Sequence, residues 1–422
     1  MADYDLLVIG AGPAGEKAAA QAAYFGKKVA LVDRNFELGG TVAKTALPLK
    51  GMRETALYVK GFRQRSLHGV EFKVAEDLSV DGFLRRGREV GRIMSESTRF
   101  NMQRHGVDCI QAEAAFADRD RILLSGAQGV RVVSPKIVFL APGSLPFRPP
   151  PFDIDHPALW DSDTVLSMSK FPDSMLVVGG GAVGCEYACI FAALGSKVTL
   201  VQSEYEILPF ADRDISRVLR RAMREAKIEI ITNDRVVGRE PVESGFRWTT
   251  SAGRTLDAEV TLCAIGRRCS LGSLRLDNAG VELTDRSFIK VDDDFRTTNP
   301  KIFAGGDAIG GMGLSSLAME QGRLAIINAL QLDEKARVAK VVPTGIWTIP
   351  EVAMVGETED QLRKRGASYV IGTAMYRTNP RGIIIGEDLG QLKCLFDREN
   401  RRLLGAHCLG EESCEVIATA TT

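Results

Sequence analysis

The sequence predicts an α/β fold with two Rossmann-like βαβ units and a smaller α+β domain at the C-terminal end. Two observations predict the βαβ units: an apolar strand runs through a glycine-rich turn into a helix, and the same pattern returns later in the chain. A third observation concerns residues 339–422, where strand-like apolar runs alternate with one charged helix near TEDQLRKRG. That pattern predicts an α+β domain.

The first βαβ unit is YDLLVIGAGPAGEKAAAQAAYFGKKVALVDR, residues 4–34. Its turn has the form Gly10-x-Gly12-x-x-Gly15, and the second strand ends at Asp33. The first glycine allows a tight turn, the second lets a pyrophosphate approach the backbone, and the third lets helix and strand pack closely. The acid at the strand end can accept a hydrogen bond from a ribose hydroxyl. The pattern therefore predicts a dinucleotide site.

The second unit is MLVVGGGAVGCEYACIFAALGSKVTLVQSE, residues 175–204. Its glycines are Gly179, Gly181 and Gly184, and Gln202 takes the strand-end position that Asp33 has in the first unit. Two such units in one chain predict that two nucleotides are bound together.

Composition excludes several other classes of protein. Lys+Arg and Asp+Glu both number 54 in 422 residues, so the basic excess typical of nucleic-acid or membrane-surface binding is missing. No apolar run approaches the length of a membrane span, and acids stand where a secretory signal would carry positive charge. We therefore expect a cytoplasmic protein without nucleic-acid or membrane partners. The eight cysteines and four histidines (His68, His105, His156 and His407) show no metal-ligand spacing, so no metal site is predicted.

The chain divides at its composition shifts. A polar, charge-striped helix is predicted near 81–106, and the proline cluster at 146–151 indicates a linker. The segment KIFAGGDAIGG, with Asp307, is another apolar strand that meets glycines, and an amphipathic helix follows it. We predict one nucleotide domain from 1–150 and 270–338, a second inserted at 151–269, and a C-terminal domain at 339–422.

The order of the motifs resembles the flavoprotein disulfide reductases, which include lipoamide dehydrogenase and glutathione reductase. The motifs that carry the resemblance are the two glycine turns and LGGT, APGS, GCE, AIGRR, FAGGDAIG and PTGIWTIPEVAMVGETE. The pieces RETALYVKGFRQR, PTGIWTIPE and LLGAHCLGEE look most like the soluble pyridine nucleotide transhydrogenase branch. The resemblance implies FAD in the first unit with the Asp307 segment, NAD(P) in the inserted unit, and a homodimer built by the C-terminal domain.

Two departures from the family pattern bear on the chemistry. The stretch Leu38–Lys50 contains no cysteine and is one residue short, where disulfide reductases carry a C-x4-C pair. Because thiol-disulfide exchange needs a thiolate and a resolving thiol, this stretch cannot reduce a disulfide. The sequence also ends at EVIATATT, where relatives begin an interface segment with a His and a Glu, so we expect a shortened C-terminal domain without that acid/base pair.

The resemblance also assigns candidate site residues. Lys50 takes the place of a lysine near flavin N5, and Glu186 takes the place of its ion-pair partner. A positive charge there would stabilise the reduced ring electrostatically. The alternative is that Lys50 is an ordinary solvated lysine and Glu186 an unrelated helical glutamate. The cofactor-binding candidates, with Lys50 and Glu186 among them, are Gly10, Gly12, Pro13, Ala14, Gly15, Asp33, Arg34, Gly40, Thr41, Gly143, Ser144, Gly179, Gly181, Ala182, Val183, Gly184, Gln202, Gly266, Gly306 and Asp307.

Without a cysteine pair, electrons on the flavin must leave by another route. A second nicotinamide is the simplest acceptor, which predicts transhydrogenase-like hydride exchange between pyridine nucleotides. Two alternatives stay open: a diaphorase or NAD(P)H oxidase that uses a dye, quinone or oxygen, and a non-catalytic redox-sensing flavoprotein. Carboxylates at Glu204 and Glu206, with no Arg or Lys from Gln202 to Phe210, predict that NAD(H) binds better than NADP(H).

Overall fold

The computed structural model describes residues 2–35, 37–64, 78–332, 337–339 and 341–421. This part of the chain forms two compact units. Unit 1 contains Met1–Leu49, Gly87–Leu145 and Arg267–Ala339. Unit 2 contains Lys50–Arg86, Pro146–Gly266 and Lys340–Thr422. The finer division into three domains stays a prediction.

The secondary structure alternates strands and helices over most of the chain. The helices are α1 (Pro13–Tyr24), α2 (Leu47–Gln64), α3 (Val80–Arg104), α4 (Ala182–Leu194), α5 (Arg213–Glu225), α6 (Leu276–Ala279), α7 (Ser315–Ala329), α8 (Glu359–Lys364), α9 (Pro380–Ile385) and α10 (Ser413–Thr421). Short helical turns of other types are Val42–Ala46 (π) and Val165–Ser167, Gly306–Ile309 and Tyr376–Thr378 (3-10). The strands are β1 (Leu6–Ile9), β2 (Val29–Asp33), β3 (Asp108–Gln111), β4 (Glu113–Phe116), β5 (Ile122–Gly126), β6 (Gly129–Val133), β7 (Ile137–Leu140), β8 (Ser144–Pro146), β9 (Leu159–Trp160), β10 (Ser174–Val178), β11 (Lys197–Val201), β12 (Glu229–Ile231), β13 (Val236–Pro241), β14 (Phe246–Thr250), β15 (Thr255–Ala258), β16 (Val260–Cys263), β17 (Arg267–Cys269), β18 (Ile302–Ala304), β19 (Thr344–Ile346), β20 (Glu351–Gly356), β21 (Tyr369–Met375), β22 (Gln391–Asp397) and β23 (Leu403–Gly410).

Unit 1 is built on a five-stranded parallel sheet in the order β18-β7-β1-β2-β3. Strand β1 is fully buried, which explains its unbroken apolar sequence LLVI. Helices α1 and α7 contribute to the core on one face, where Gly322 brings the two backbones together: a Cβ there would lie 2.1 Å from the Ala14 carbonyl oxygen. The three-stranded antiparallel sheet β4-β5-β6 contributes to the core on the other face. The chain order reverses between β1 and β7, the position at which such sheets bind ligands.

Unit 2 contains a second parallel sheet, in the order β12-β11-β10-β16-β9. The antiparallel sheet β13-β14-β15 shares a core with it, in which the Phe152 and Trp248 rings stack 5.1 Å apart. The matching position of β10 and β1 within the two parallel sheets agrees with the two predicted βαβ units.

The C-terminal part of unit 2 is a five-stranded antiparallel sheet in the order β19-β20-β23-β22-β21, and α10 packs on it through Ile417. The charged helix predicted near TEDQLRKRG is present as α8, but the sequence did not predict two further helices, α9 and α10. Helix α9 is only 6 residues long and begins at the Asn379 cap before Pro380, so it lacks the periodicity that would have revealed it. Within the described residues no helix is long and apolar enough to span a membrane.

Candidate functional site

The glycine turn of unit 1 depends on its first and third glycines for steric reasons. Gly10 has φ +105°, and a Cβ there would lie 2.1 Å from the Ala141 carbonyl oxygen at the end of β7. A Cβ at Gly15 would lie 1.8 Å from the Gly10 carbonyl oxygen. Any side chain at either position would force the turn open. These glycines set the path of the backbone between β1 and α1.

The middle glycine, Gly12, has a different role. A Cβ at this position would meet no atom within 4 Å, so the space beside the turn is open. Gly12 is the N-cap of α1, and in the described structure no side chain caps this helix end. The first helical residue is Pro13, whose missing N–H costs nothing there. Free amides and the helix dipole make this open N-terminus suited to an anionic group such as a pyrophosphate.

Asp33 ends β2 beside this turn. Its Oδ2 atom accepts a hydrogen bond from the Ala11 amide at 2.8 Å, and Oδ1 accepts from the Asn35 amide at 2.8 Å. Oδ1 also accepts from Asn35 Nδ2 at 2.9 Å. The side chain is only half-buried, and Oδ2 can still accept a second hydrogen bond. Asp33 can therefore stabilise the turn and still accept from a ribose hydroxyl.

A polar cluster formed by Ser144, Asp307 and Arg267 lies in unit 1. Ser144 Oγ donates to Asp307 Oδ2 at 2.6 Å, and Arg267 Nε donates to Ser144 Oγ at 2.8 Å. Gly143 precedes it with φ +72°. Gly306 lies against α1, where a Cβ would be 3.2 Å from Ala14 Cβ. The APGS and FAGGDAIG segments therefore meet near the start of α1, as the cofactor assignment requires.

Gly40 and Thr41 also lie in unit 1, in the stretch without the cysteine pair. A Cβ at Gly40 would lie 2.9 Å from Gly12 Cα, which places LGGT against the glycine turn. Val42–Ala46 forms a π-helical turn that runs directly into α2. On α3, Gly91 has no side chain to block the Ala43 carbonyl, since a Cβ there would be 2.4 Å from that oxygen. Close packing on α3 therefore holds the stretch that leads to Lys50.

The turn of unit 2 repeats this geometry. Gly179 has φ +107°, and a Cβ there would lie 2.4 Å from the Ala264 carbonyl oxygen. A Cβ at Gly184 would lie 1.9 Å from the Gly179 carbonyl oxygen, whereas one at Gly181 would meet nothing within 4 Å. Helix α4 begins with Ala182 and Val183, and its N-cap, Gly181, has no side-chain hydrogen bond in the described structure. A second open helix N-terminus results.

Gln202 takes the place of Asp33 in detail. Its Oε1 accepts from the Gly180 amide at 2.9 Å, as Asp33 accepts from the Ala11 amide. The sequence suggested that Glu206 would face a ribose phosphate, but Glu206 is buried and its Oε1 lies 3.4 Å from Arg220 Nε. Glu204 is exposed, so it is the carboxylate of the two that can meet a nucleotide.

Lys50 and Glu186 lie together in unit 2. Lys50 Nζ donates to Glu186 Oε2 at 2.7 Å, and the Trp347 amide donates to Glu186 Oε1 at 2.8 Å. Glu186 is buried on α4, while 28% of the Lys50 side chain is exposed. The short stretch before Lys50 has therefore not separated the pair. The catalytic role of the Lys50–Glu186 pair stays a prediction.

Burial makes the thiols of Cys185 and Cys269 poor nucleophiles. None of the eight cysteines forms a disulfide in the described structure. Burial raises the pKa of Cys185 well above its ordinary value, with the charge of nearby Cys189 adding to it. Burial and the charge of Asp307 raise the pKa of Cys269 to about 11. Cys185 and Cys269 therefore stay protonated at neutral pH.

Two of the predicted site residues, Gly266 and Arg34, remain to be placed. Gly266 has φ +124° and open space around it, and Arg34 is exposed, with Nη2 3.4 Å from Ser270 Oγ. Among the described residues no three His, Cys, Asp or Glu side chains could hold a metal; His68 lies outside the described residues. Sequence reasoning missed Arg267, although it follows Gly266 in AIGRR, and it missed Arg53 on α2.

Comparisons with known proteins identify the family. Residues 4–322 match the pyridine nucleotide-disulphide oxidoreductase family, and residues 342–422 match the dimerisation domain of that family. The chain belongs to this family. It is 36% identical over 420 residues to a soluble pyridine nucleotide transhydrogenase of Mycobacterium bovis (99% of this chain, 90% of the relative). It is 34% identical over 420 residues to one of Pseudomonas putida (98% and 89%).

Solved structures agree with this assignment. The HOCl-induced flavoprotein disulfide reductase RclA from Escherichia coli matches with a TM-score of 0.89 at 27% identity, covering 99% of this chain and 92% of that one. LpdA from Mycobacterium tuberculosis matches with a TM-score of 0.90 at 25% identity, with the same coverage. The predicted α/β flavoprotein fold is confirmed.

The residues present fit FAD and a pyridine nucleotide. Each unit has an open cradle beside its middle glycine, at an uncapped helix N-terminus that suits a pyrophosphate. Unit 1 adds the carboxylates of Asp33 and Asp307, which can accept from ribose and ribityl hydroxyls. Unit 2 has a neutral amide, Gln202, in the equivalent strand-end position.

Proposed function

We propose that this protein is an FAD-dependent oxidoreductase that exchanges hydride between pyridine nucleotides. The observation that carries the proposal is the duplicated glycine turn with its strand-end hydrogen bond, at Asp33 in unit 1 and Gln202 in unit 2. A cysteine-free stretch before Lys50 removes the disulfide as an acceptor. The relatives named soluble pyridine nucleotide transhydrogenase support the same conclusion.

FAD bound in unit 1 would supply a ring that takes hydride from one nicotinamide and returns it to another. The α1 amides would hold its pyrophosphate, and Asp33 would orient the adenosine ribose. Asp307 would hold the ribityl chain, and Ser144 and Arg267 would fix the orientation of its carboxylate through their hydrogen bonds. Gly40, Thr41 and Gly143 would allow the cofactor to approach the backbone.

The α4 turn would hold the nicotinamide dinucleotide. Its open N-terminus would bind the pyrophosphate, and Glu204 would meet the adenosine ribose from the exposed side. A 2′-phosphate there would face the carboxylate of Glu204, whereas a ribose diol could donate to it. We therefore propose that NAD(H) binds better than NADP(H), while neutral Gln202 leaves NADP(H) usable.

Lys50 and Glu186 would act at the flavin ring. The Lys50 ammonium would favour negative charge on the ring, and Glu186 would orient the ammonium. Because Glu186 is buried, its two hydrogen bonds fix the carboxylate without competition from bulk water.

Three further proposals concern the domain boundaries, the oligomeric state and the cellular location. The FAD-binding domain comprises 1–150 and 270–338, the NAD(P)-binding domain 151–269, and the C-terminal domain 339–422. The match of 342–422 to a dimerisation domain supports a homodimer. The nucleotide substrates support a cytoplasmic location, where both are available.

The test combines flavin spectra with nucleotide exchange. The purified protein should be yellow with FAD that is released on denaturation, and anaerobic NADH should bleach it. NADPH and thio-NAD⁺ together should yield reduced thio-NAD, whose distinct absorbance separates product from substrate. Bleaching without exchange, restored only by a quinone, dye or oxygen, would indicate the diaphorase or oxidase alternative. A flavin that no nucleotide bleaches would contradict the proposal and favour a binding protein.

A further inference from the structure

Two sequence motifs that the proposed function leaves unused meet in unit 2. Arg53, from RETALYVKGFRQR on α2, is buried against the PTGIWTIPE segment. Its Nε donates to the Thr348 carbonyl oxygen at 3.1 Å, and its Nη2 donates to Glu351 Oε1 at 3.1 Å. The centre of the guanidinium lies 5.5 Å from the centroid of the Trp347 ring. A single side chain therefore holds this segment by its backbone, a carboxylate and an aromatic face.

The same segment holds Glu186. The Trp347 amide donates to one carboxylate oxygen at 2.8 Å, and Lys50 donates to the other at 2.7 Å. Lys50 Nζ also lies 6.0 Å from the centroid of the Trp347 ring. The cationic groups of Lys50 and Arg53 therefore both lie near the indole. Arg53 thus contacts the residue that supplies the second hydrogen bond to Glu186.

The planar guanidinium of Arg53 fixes the directions of its hydrogen bonds. Arginine donates from a rigid planar fork, so one side chain can fix two acceptors at a set angle. A buried carboxylate left with one donor can rotate, and it carries its bonded ammonium with it. If the 347–348 backbone moved, Glu186 would lose its Oε1 donor and Lys50 would lose a fixed partner. Because Arg53 holds that backbone, it determines where the Lys50 ammonium stands.

We propose that Arg53 is a positioning residue for Lys50, acting through the Trp347 amide and Glu186. This inference rests on the proposed function, in which Lys50 acts at the flavin ring. It predicts that the effect of Arg53 on the flavin passes through Glu186 and does not add to it.

The experiment uses the full FAD-loaded protein and four variants: Arg53→Met, Arg53→Lys, Glu186→Gln and the Arg53→Met/Glu186→Gln double variant. The first readout is the midpoint potential of the bound FAD, titrated with dithionite against reference dyes. The second is the pre-steady-state rate of flavin bleaching by NADH. The third is Trp347 emission, taken as the difference from Trp347→Phe in each background.

Glu54→Gln is the matched control. Glu54 Oε1 accepts from Arg53 Nη1 at 2.9 Å, but its side chain is 56% exposed. Its removal changes the charge around Arg53 without touching the Thr348 carbonyl or Glu351. We expect this variant to match the wild type in all three readouts.

Arg53→Met should lower the bleaching rate about tenfold, which corresponds to a modest loss of transition-state stabilisation. It should make the potential more negative, change Trp347 emission, and have no further effect on potential or rate in the Glu186→Gln background. Arg53→Lys should also be impaired, because an ammonium lacks the fork. Independent, multiplying effects of Arg53 and Glu186 would overturn the inference, as would an Arg53→Lys variant equal to the wild type.

Failure of this inference differs from failure of the proposed function. The chemical titration of the potential and the Trp347 emission need no nucleotide, so they report on Arg53 even if NADH does not bleach the wild-type flavin. If Arg53→Met folds poorly, Arg53→Lys, which retains the buried charge, gives the same comparison of potential and emission. An unchanged potential and emission in Arg53→Lys would refute the positioning role.

Discussion

Lys393 provides a direct test of how unit 2 is stabilised. Its Nζ lies 2.9 Å from Asp212 Oδ1, 2.7 Å from Asp214 Oδ2 and 2.7 Å from Glu359 Oε2, and only 2% of its side chain is exposed. It thereby links β22 of the antiparallel sheet to the starts of α5 and α8. We consider the substitution Lys393→Met, which keeps most of the side-chain volume and removes the charge.

The expected loss follows from the partners left behind. Removing one member of a buried ion pair typically costs about 3–5 kcal/mol, because the other charge stays buried without compensation. Burial by itself raises the pKa of Glu359, but hydrogen bonds from Lys393 and Tyr369 outweigh it and lower that pKa from 4.5 to about 2. The lowered pKa means that the folded protein stabilises the ionised form of Glu359, and Lys393 makes the largest of the lowering contributions.

The sign of the pH dependence follows from the depressed pKa. Glu359 contributes its stability fully above pH 4.5 and loses it as the pH falls toward 2. Amide hydrogen exchange of β22 gives the free energy of local opening, which suits a chain of more than one cooperative unit. Lys393→Met should lower the free energy of local opening by about 3–5 kcal/mol at pH 7. The difference between the variant and the wild type should become smaller below pH 4.5.

A matched control is Lys290→Met. Lys290 Nζ lies 3.0 Å from Glu282 Oε2, but both side chains are more than half exposed. Exposed pairs contribute about 0–1 kcal/mol, so this variant should change little. A Lys393→Met protein within 1 kcal/mol of the wild type, or a gap that does not narrow in acid, would refute the reasoning.

Three further predictions concern nucleotides and substrates. Gly12→Val should fill the open space beside the α1 N-terminus and weaken FAD binding at least tenfold, as measured by fluorescence titration of the apoprotein. Wild-type kcat/KM should favour NADH over NADPH by about tenfold, and Glu204→Arg should move the ratio toward NADPH; no movement would show that Glu204 points away from the ribose. Lipoamide and oxidised glutathione should not be turned over, because no cysteine lies between Gly39 and Lys50; robust turnover would show a redox centre elsewhere.

The glycine turns could be predicted from sequence because their requirements are local. Gly10 and Gly179 need positive φ and close approach to a neighbouring carbonyl, and only glycine meets both needs. The strand before and the helix after each turn follow from periodicity in the adjacent residues. Sequence spacing therefore placed Asp33 and Gln202 at equivalent strand ends, and the structure gives both the same hydrogen bond to the turn.

Contacts between distant parts of the chain could not be predicted in this way. Arg53 and Glu351 are 298 positions apart, and no local pattern indicates that they meet. Arg220, on α5, neutralises Glu206, which sequence reasoning had placed beside a phosphate. Each of these pairs depends on how the helices and strands pack. The net charge of one sequence segment therefore differs from the charge that a ligand would meet at that segment in the folded protein.

The reaction of the disulfide reductases has two steps, and this chain lacks the cysteine pair that one of them needs. A disulfide reductase needs a nicotinamide-to-flavin step and a flavin-to-disulfide step, and only the second needs thiols. In this chain the thiol-free stretch is a continuous π- and α-helical segment that leads into Lys50, and Lys50 still meets a buried carboxylate that a backbone amide holds. The residues that we propose for the nicotinamide step thus lie in contact, while the cysteines of the disulfide step are missing from Gly39 to Lys50. Since the nicotinamide step is reversible, running it twice with different nucleotides requires no further group from the protein.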